Sequence, residues 1–137
     1  MDDIEVVNEI NKTDSEWRQS LDESRYAVLR QKGTERAFTG KYLNHKGVGI
    51  YVCGACGQYL FSSEAKYDSG SGWPSFYEPM RPGTITEVED RSLGMVRVEV
   101  ICSACKSHLG HVFKDGPRET TGLRYCINSV SLDFQEN

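Results

Sequence analysis

Four of the chain's five cysteines fall in two C-x-x-C pairs, Cys53-Gly54-Ala55-Cys56 and Cys102-Ser103-Ala104-Cys105, and the fifth, Cys126, stands apart. Each pair puts two thiols on one tight turn, which suits two edges of a ligand tetrahedron. The 45 residues between the pairs exceed the spacing of a simple zinc ribbon, yet two knuckles converge across a folded domain whatever the loop between them. The pattern therefore demands a fold in which two distant hairpin ends meet. Zinc in a closed structural site is the favoured reading. Two disulfides compete with it, but bridges within C-x-x-C are strained and an unexported protein keeps them reduced. Iron held as in rubredoxin is a third reading, and a redox C-x-x-C, which normally occurs once in a βαβ setting, a fourth. Four thiolates leave zinc no open position for water, so chemistry must lie elsewhere.

A chain of 137 residues fits one domain. Residues 1–12 carry many charges and no apolar period, and are expected to form a loose tail ahead of a single domain at 13–137. Thr13-Asp14-Ser15-Glu16 has a capping-box pattern that predicts a short helix through Trp17 and Leu21. A second helix is predicted from Asp22 to Lys32, with Tyr26 and Leu29 inward and Gly33 as its stop. From Ala37 onward short β-rich runs alternate with Gly, Pro, Ser and Asp clusters. Strands are predicted at Gly49–Cys53, Ile85–Glu89, Met95–Ile101, Leu109–Phe113, Arg124–Asn128 and Val130–Phe134. In Met95–Ile101 the valines 96, 98 and 100 should face the core and Arg97 and Glu99 the solvent. The fold expected is mainly β, of antiparallel sheets, with helices at the N-terminus.

The net charge of −4 arises from residues 1–25, where eight acidic residues meet three basic ones, and the rest sums to about +1, so no basic face for nucleic acid is evident. No apolar run reaches the length needed to span a bilayer, and the acidic start lacks a signal-peptide pattern, so a soluble, cytoplasmic monomer is expected.

Cys126 lies in Arg124-Tyr125-Cys126-Ile127-Asn128, where period two would put Arg124, Cys126 and Asn128 on one face. A guanidinium beside a thiol favours the thiolate and so an attacking sulfur. The competing reading is a buried structural cysteine. In Asp68–Phe76, glycines and a proline frame Trp73 in a loop, where the indole either walls an apolar pocket or fills the core. His108 and His111 offer proton transfer near neutral pH, against a metal-binding or a plain surface role.

Three blocks, Lys66–Phe76, Ser107–Phe113 and Arg124–Ser129, together with the paired C-x-x-C motifs, resemble the B-type methionine sulfoxide reductases, which act on the R epimer at sulfur. The resemblance spans nearly the whole chain. It implies two antiparallel sheets in a sandwich- or barrel-like domain with short N-terminal helices and a four-cysteine zinc site at Cys53, Cys56, Cys102 and Cys105. It implies Cys126 as nucleophile and Trp73 packed on the methyl end of the substrate. His108, His111, Phe113, Arg124 and Asn128 are implied to shape or polarise the site. The substrate implied is oxidised methionine in proteins or peptides, and Cys126 would become a sulfenic acid. Many members have Cys where Ser71 stands, so resolution here is expected from an external thiol: thioredoxin, glutaredoxin or glutathione. A zinc thiolate leaving the metal is the competing route. Two other functions stay open: a non-catalytic zinc module, and a thiol hydrolase with a Cys–His pair.

Overall fold

The computed structural model describes residues 9–137. Helix α1 (Asp14–Ser20) starts at the expected capping box: Thr13 Oγ1 accepts the Glu16 amide, and the Glu16 carboxylate accepts the Thr13 amide. Helix α2 (Glu23–Leu29) is capped by Asp22, whose side chain accepts the Arg25 amide. It buries Tyr26, Val28 and Leu29. The expected stop at Gly33 falls too late. The helix ends at Leu29, and Lys32 takes the left-handed conformation with φ 61°. Gly33 serves a close approach instead, donating its amide to the Ala27 carbonyl, which a Cβ would meet at 3.0 Å.

Nine strands follow: β1 (Gly49–Cys53), β2 (Tyr59–Ser62), β3 (Lys66–Tyr67), β4 (Ser75–Phe76), β5 (Ile85–Asp90), β6 (Arg97–Cys102), β7 (His108–Phe113), β8 (Arg124–Ile127) and β9 (Leu132–Glu136). They form two antiparallel sheets, one of order β2-β1-β9 and one of order β3-β4-β8-β7-β6-β5. The expected mainly-β fold with two N-terminal helices is what the chain adopts. Aromatic rings join the sheets: Phe61 of β2 stacks on Phe76 of β4 at 4.4 Å between centroids, and Tyr51 of β1 meets Phe76 edge-on at 5.2 Å. Strands β2, β3 and β4 were not expected, because runs of two to four residues are too short to show a period of two.

One correction concerns β6. Val96 is 65 % exposed and lies outside the strand, whereas Glu99, expected in solvent, is 5 % exposed. The face read as wet is covered by the partners of its charged residues. Of the expected tail, residues 1–8 lie outside the described residues; Ile10 donates its amide to the Ala104 carbonyl and packs on the core. Among the described residues no helix is long and apolar enough to cross a membrane.

The helices lock onto the sheets through arginines. Arg25 reaches both carboxylate oxygens of Asp133 at 2.7 and 3.0 Å, and donates to the Gly54 and Leu132 carbonyls. Arg30 stacks over the buried Trp17 ring and donates to the Cys105 carbonyl and Ser107 Oγ. Both cysteine turns are thereby tied to α2.

Candidate active site

Cys53 ends β1 and Cys56 lies in the turn that follows, and Cys102 ends β6 with Cys105 in its turn. Their four sulfurs lie within 4.8 Å of one another, and Cys53–Cys105 and Cys56–Cys102 approach to 3.7 and 3.6 Å. A metal with sulfur ligands at about 2.3 Å requires sulfurs about 3.8 Å apart in a tetrahedron. The cluster therefore fits a metal ion. A dication would let all four ionise.

The fifth cysteine sits elsewhere, in β8. Register places Ser75 of β4 opposite it on one side and His111 of β7 on the other, and pairs Phe113 with Arg124. Gly110 lets the two strands close up, since a Cβ there would lie 2.0 Å from the Cys126 carbonyl oxygen. Above this sheet opens a cavity of about 220 Å³ whose walls include Trp73, His111, Phe113, Arg124, Cys126 and Asn128. Six of the seven non-ligand residues singled out in the sequence meet there. The seventh, His108, is 3 % exposed and lies behind the wall, its ring 5.5 Å from that of His111 and its Nδ1 2.7 Å from Glu99 Oε2. Burial holds the His108 ring below its usual protonation range, partly offset by Glu99.

Each wall residue is fixed by a partner. Trp73 Nε1 donates to the Glu35 carbonyl at 3.1 Å. Asn128 accepts the Glu35 amide and donates to the Leu109 carbonyl, so its amide is spent on bracing two backbones. Arg124 grips Asp115 through Nε and Nη2 at 2.9 and 3.2 Å and holds its guanidinium carbon 4.4 Å from the centre of the Phe113 ring. Thr34, Ser71, Arg97 and Gly110 also line the cavity, and the sequence did not single out three of them for the site. Arg97 carried a signal, a charged residue recurring within a valine strand, that alternation assigned to solvent. Glu35 carried none, because its backbone holds Trp73 and Asn128 and its carboxylate accepts the Val130 amide, all partners remote in the chain.

Cys126 is half-buried, with Ser71 Oγ 3.9 Å from its sulfur. Burial pushes the thiol up, while Ser71 and Arg124 pull it down by less. The expected lowering by Arg124 is thus present in direction but outweighed. We expect alkylation of Cys126 by iodoacetamide to keep rising with pH past the range where an ordinary cysteine levels off. A rate already at its plateau at neutral pH would contradict this electrostatic balance.

A half-buried cysteine lining a part-apolar cavity, with a histidine directly across the strand pair, is an arrangement suited to thiol chemistry. Comparison with known proteins narrows the class. The SelR domain family matches residues 21–136. The chain is 58 % identical over 128 residues to the peptide methionine sulfoxide reductase MsrB of Leptospira interrogans, covering 93 % of this chain and 97 % of that protein. It is 57 % identical over 129 residues to the MsrB of Acinetobacter baumannii, covering 94 % and 92 %. With the MsrB of Thiobacillus denitrificans it shares 59 % over 123 residues, covering 90 % and 92 %. The chain belongs to the SelR-domain family of MsrB peptide methionine sulfoxide reductases.

Proposed function

We propose that this chain reduces methionine (R)-sulfoxide residues in oxidised proteins, with Cys126 as the nucleophile. The observation that carries this reading is that Cys126 lines a single cavity together with the apolar Trp73 and Phe113 and the polar His111 and Arg124. Trp73 and Phe113 suit the thioether and methyl carbons of the substrate, and His111 suits the sulfoxide oxygen. A sulfoxide sulfur becomes electrophilic once its oxygen receives a hydrogen bond or proton. Cys126 then attacks, methionine leaves, and Cys126 remains as a sulfenic acid. Arg124, held by Asp115, stabilises negative charge on the sulfur, and Asn128 keeps the strand end and the Trp73 wall in register. His108 acts from behind, packing against His111. Residues 13–137 form the one domain that carries the whole reaction.

The four-cysteine cluster holds zinc, which supplies stability and takes no part in the chemistry. With those thiols committed and Ser71 beside Cys126, an external thiol of the thioredoxin, glutaredoxin or glutathione type reduces the sulfenic acid. The protein works as a cytoplasmic monomer with no nucleic-acid partner. Mixing the enzyme with a peptide methionine sulfoxide and dimedone, without reductant, should release one methionine per chain and label Cys126 alone. A disulfide joining Cys126 to any other cysteine, or no label on Cys126, would contradict this reading.

A further inference from the structure

Two of the buried carboxylates, Asp90 and Glu99, lie against the two histidines, and the reaction described so far uses neither. Asp90, at the end of β5, is 7 % exposed. Its Oδ2 lies 2.8 Å from His111 Nε2 and accepts Arg97 Nη2 at 3.4 Å, while its Oδ1 accepts the Ser92 amide at 2.9 Å. His111 and Arg97 both line the cavity, and Arg97 Nε is buried without a partner. One carboxylate thus holds two cavity-lining side chains. Glu99 holds His108 alone among the histidines and is joined by Lys32 at 3.2 Å, so it serves the layer behind.

We infer that Asp90 is a positioning residue of the reductase, fixing the His111 ring with the proton on Nε2 so that Nδ1 faces the reaction as a proton carrier for Cys126. This rests on the sulfoxide-reductase reading of the same cavity. The argument is geometric. Cys126 and His111 are direct cross-strand partners, which brings their Cβ atoms to about 4.5–5.5 Å on one face of the sheet. A carboxylate at Nε2 accepts a hydrogen bond from that nitrogen, which keeps the proton on Nε2 and leaves Nδ1 of the neutral ring as an acceptor. The ring can then take the Cys126 thiol proton as sulfur attacks, and deliver it to the sulfoxide oxygen. Over the whole step the sulfoxide S–O bond breaks and that oxygen bonds to Cys126 Sγ. Cys126 is oxidised and the methionine sulfur reduced by two electrons, and the thiol proton ends on the sulfenic oxygen. His111 borrows the proton and returns it, so no other reactant is needed.

Asp90→Asn separates positioning from folding. The side-chain oxygen still accepts the Ser92 amide, but the new amide presents a donor to His111 Nε2 and so moves the ring proton to Nδ1. Long-range proton–nitrogen spectra of the imidazole should therefore show the Nε2–H tautomer in the native protein and the Nδ1–H tautomer in the variant. With peptide methionine sulfoxide, kcat should fall about 10²-fold, KM should stay within about twofold, and Asp90→Glu should recover part of kcat. A native Nδ1–H tautomer overturns the inference without any variant. So does an unchanged kcat, or a loss of kcat with the native tautomer retained. The tautomer is read on resting protein, so failure here is distinct from an absence of sulfoxide turnover in the native enzyme, which would instead remove the functional reading.

Discussion

Cys126→Ser is expected to lower sulfoxide reduction by about 10⁴-fold or more, the scale seen when an enzyme loses its nucleophile. A hydroxyl is a far weaker nucleophile than a thiol, and serine cannot form the sulfenic intermediate through which the oxygen leaves. The fold should not notice. Serine is nearly the same shape, the position is half-buried, and its backbone pairs with β4 and β7 remain. A stability change within about 1 kcal/mol is expected, with metal content unchanged. Activity, melting temperature and metal analysis on one preparation check this together. Turnover that survives the change would mean that another group attacks the substrate.

The second large effect lies in the cluster, far along the chain from the nucleophile. Cys53→Ser or Cys105→Ser should release the metal and leave little folded protein. Binding of structural zinc is worth about 10–16 kcal/mol, as much as or more than the roughly 5–15 kcal/mol net stability of a whole domain. Cys53 and Cys105 are 1 % and 2 % exposed, so a serine there buries a hydroxyl among thiols that have lost their counter-charge. The damage should spread, because α2 is tied to the carbonyls of Gly54 and Cys105 on the two cysteine turns. Elemental analysis and thermal melting decide the matter. A variant with full metal content and native stability would show that the cluster is not a four-ligand site.

The sequence disclosed what local chemistry controls. A capping box at Thr13 and Glu16, valines alternating at 98 and 100, and two cysteines spaced for one turn are statements about residues a few positions apart, and they hold in the fold. Period two on β8 likewise placed Arg124, Cys126 and Asn128 at one cavity. What stayed hidden depends on partners remote in the chain. Glu99 looked solvent-facing because alternation cannot show that His108 and Lys32 cover it. Asp90 fell one residue past the strand expected at Ile85–Glu89, and its bond to His111 spans 21 residues. Arg124 was credited with lowering the Cys126 thiol, but spacing says nothing about burial, which is the larger effect. Epimer choice is beyond spacing altogether, because chirality at sulfur is read by the shape of a cavity.

The most direct test is dithiothreitol-driven reduction of a peptide carrying methionine R-sulfoxide, set beside the same peptide carrying the S epimer. Folded, zinc-loaded protein is predicted to reduce the R epimer and leave the S epimer untouched. Failure to reduce either one would contradict the account and leave the cavity as a binding site without chemistry.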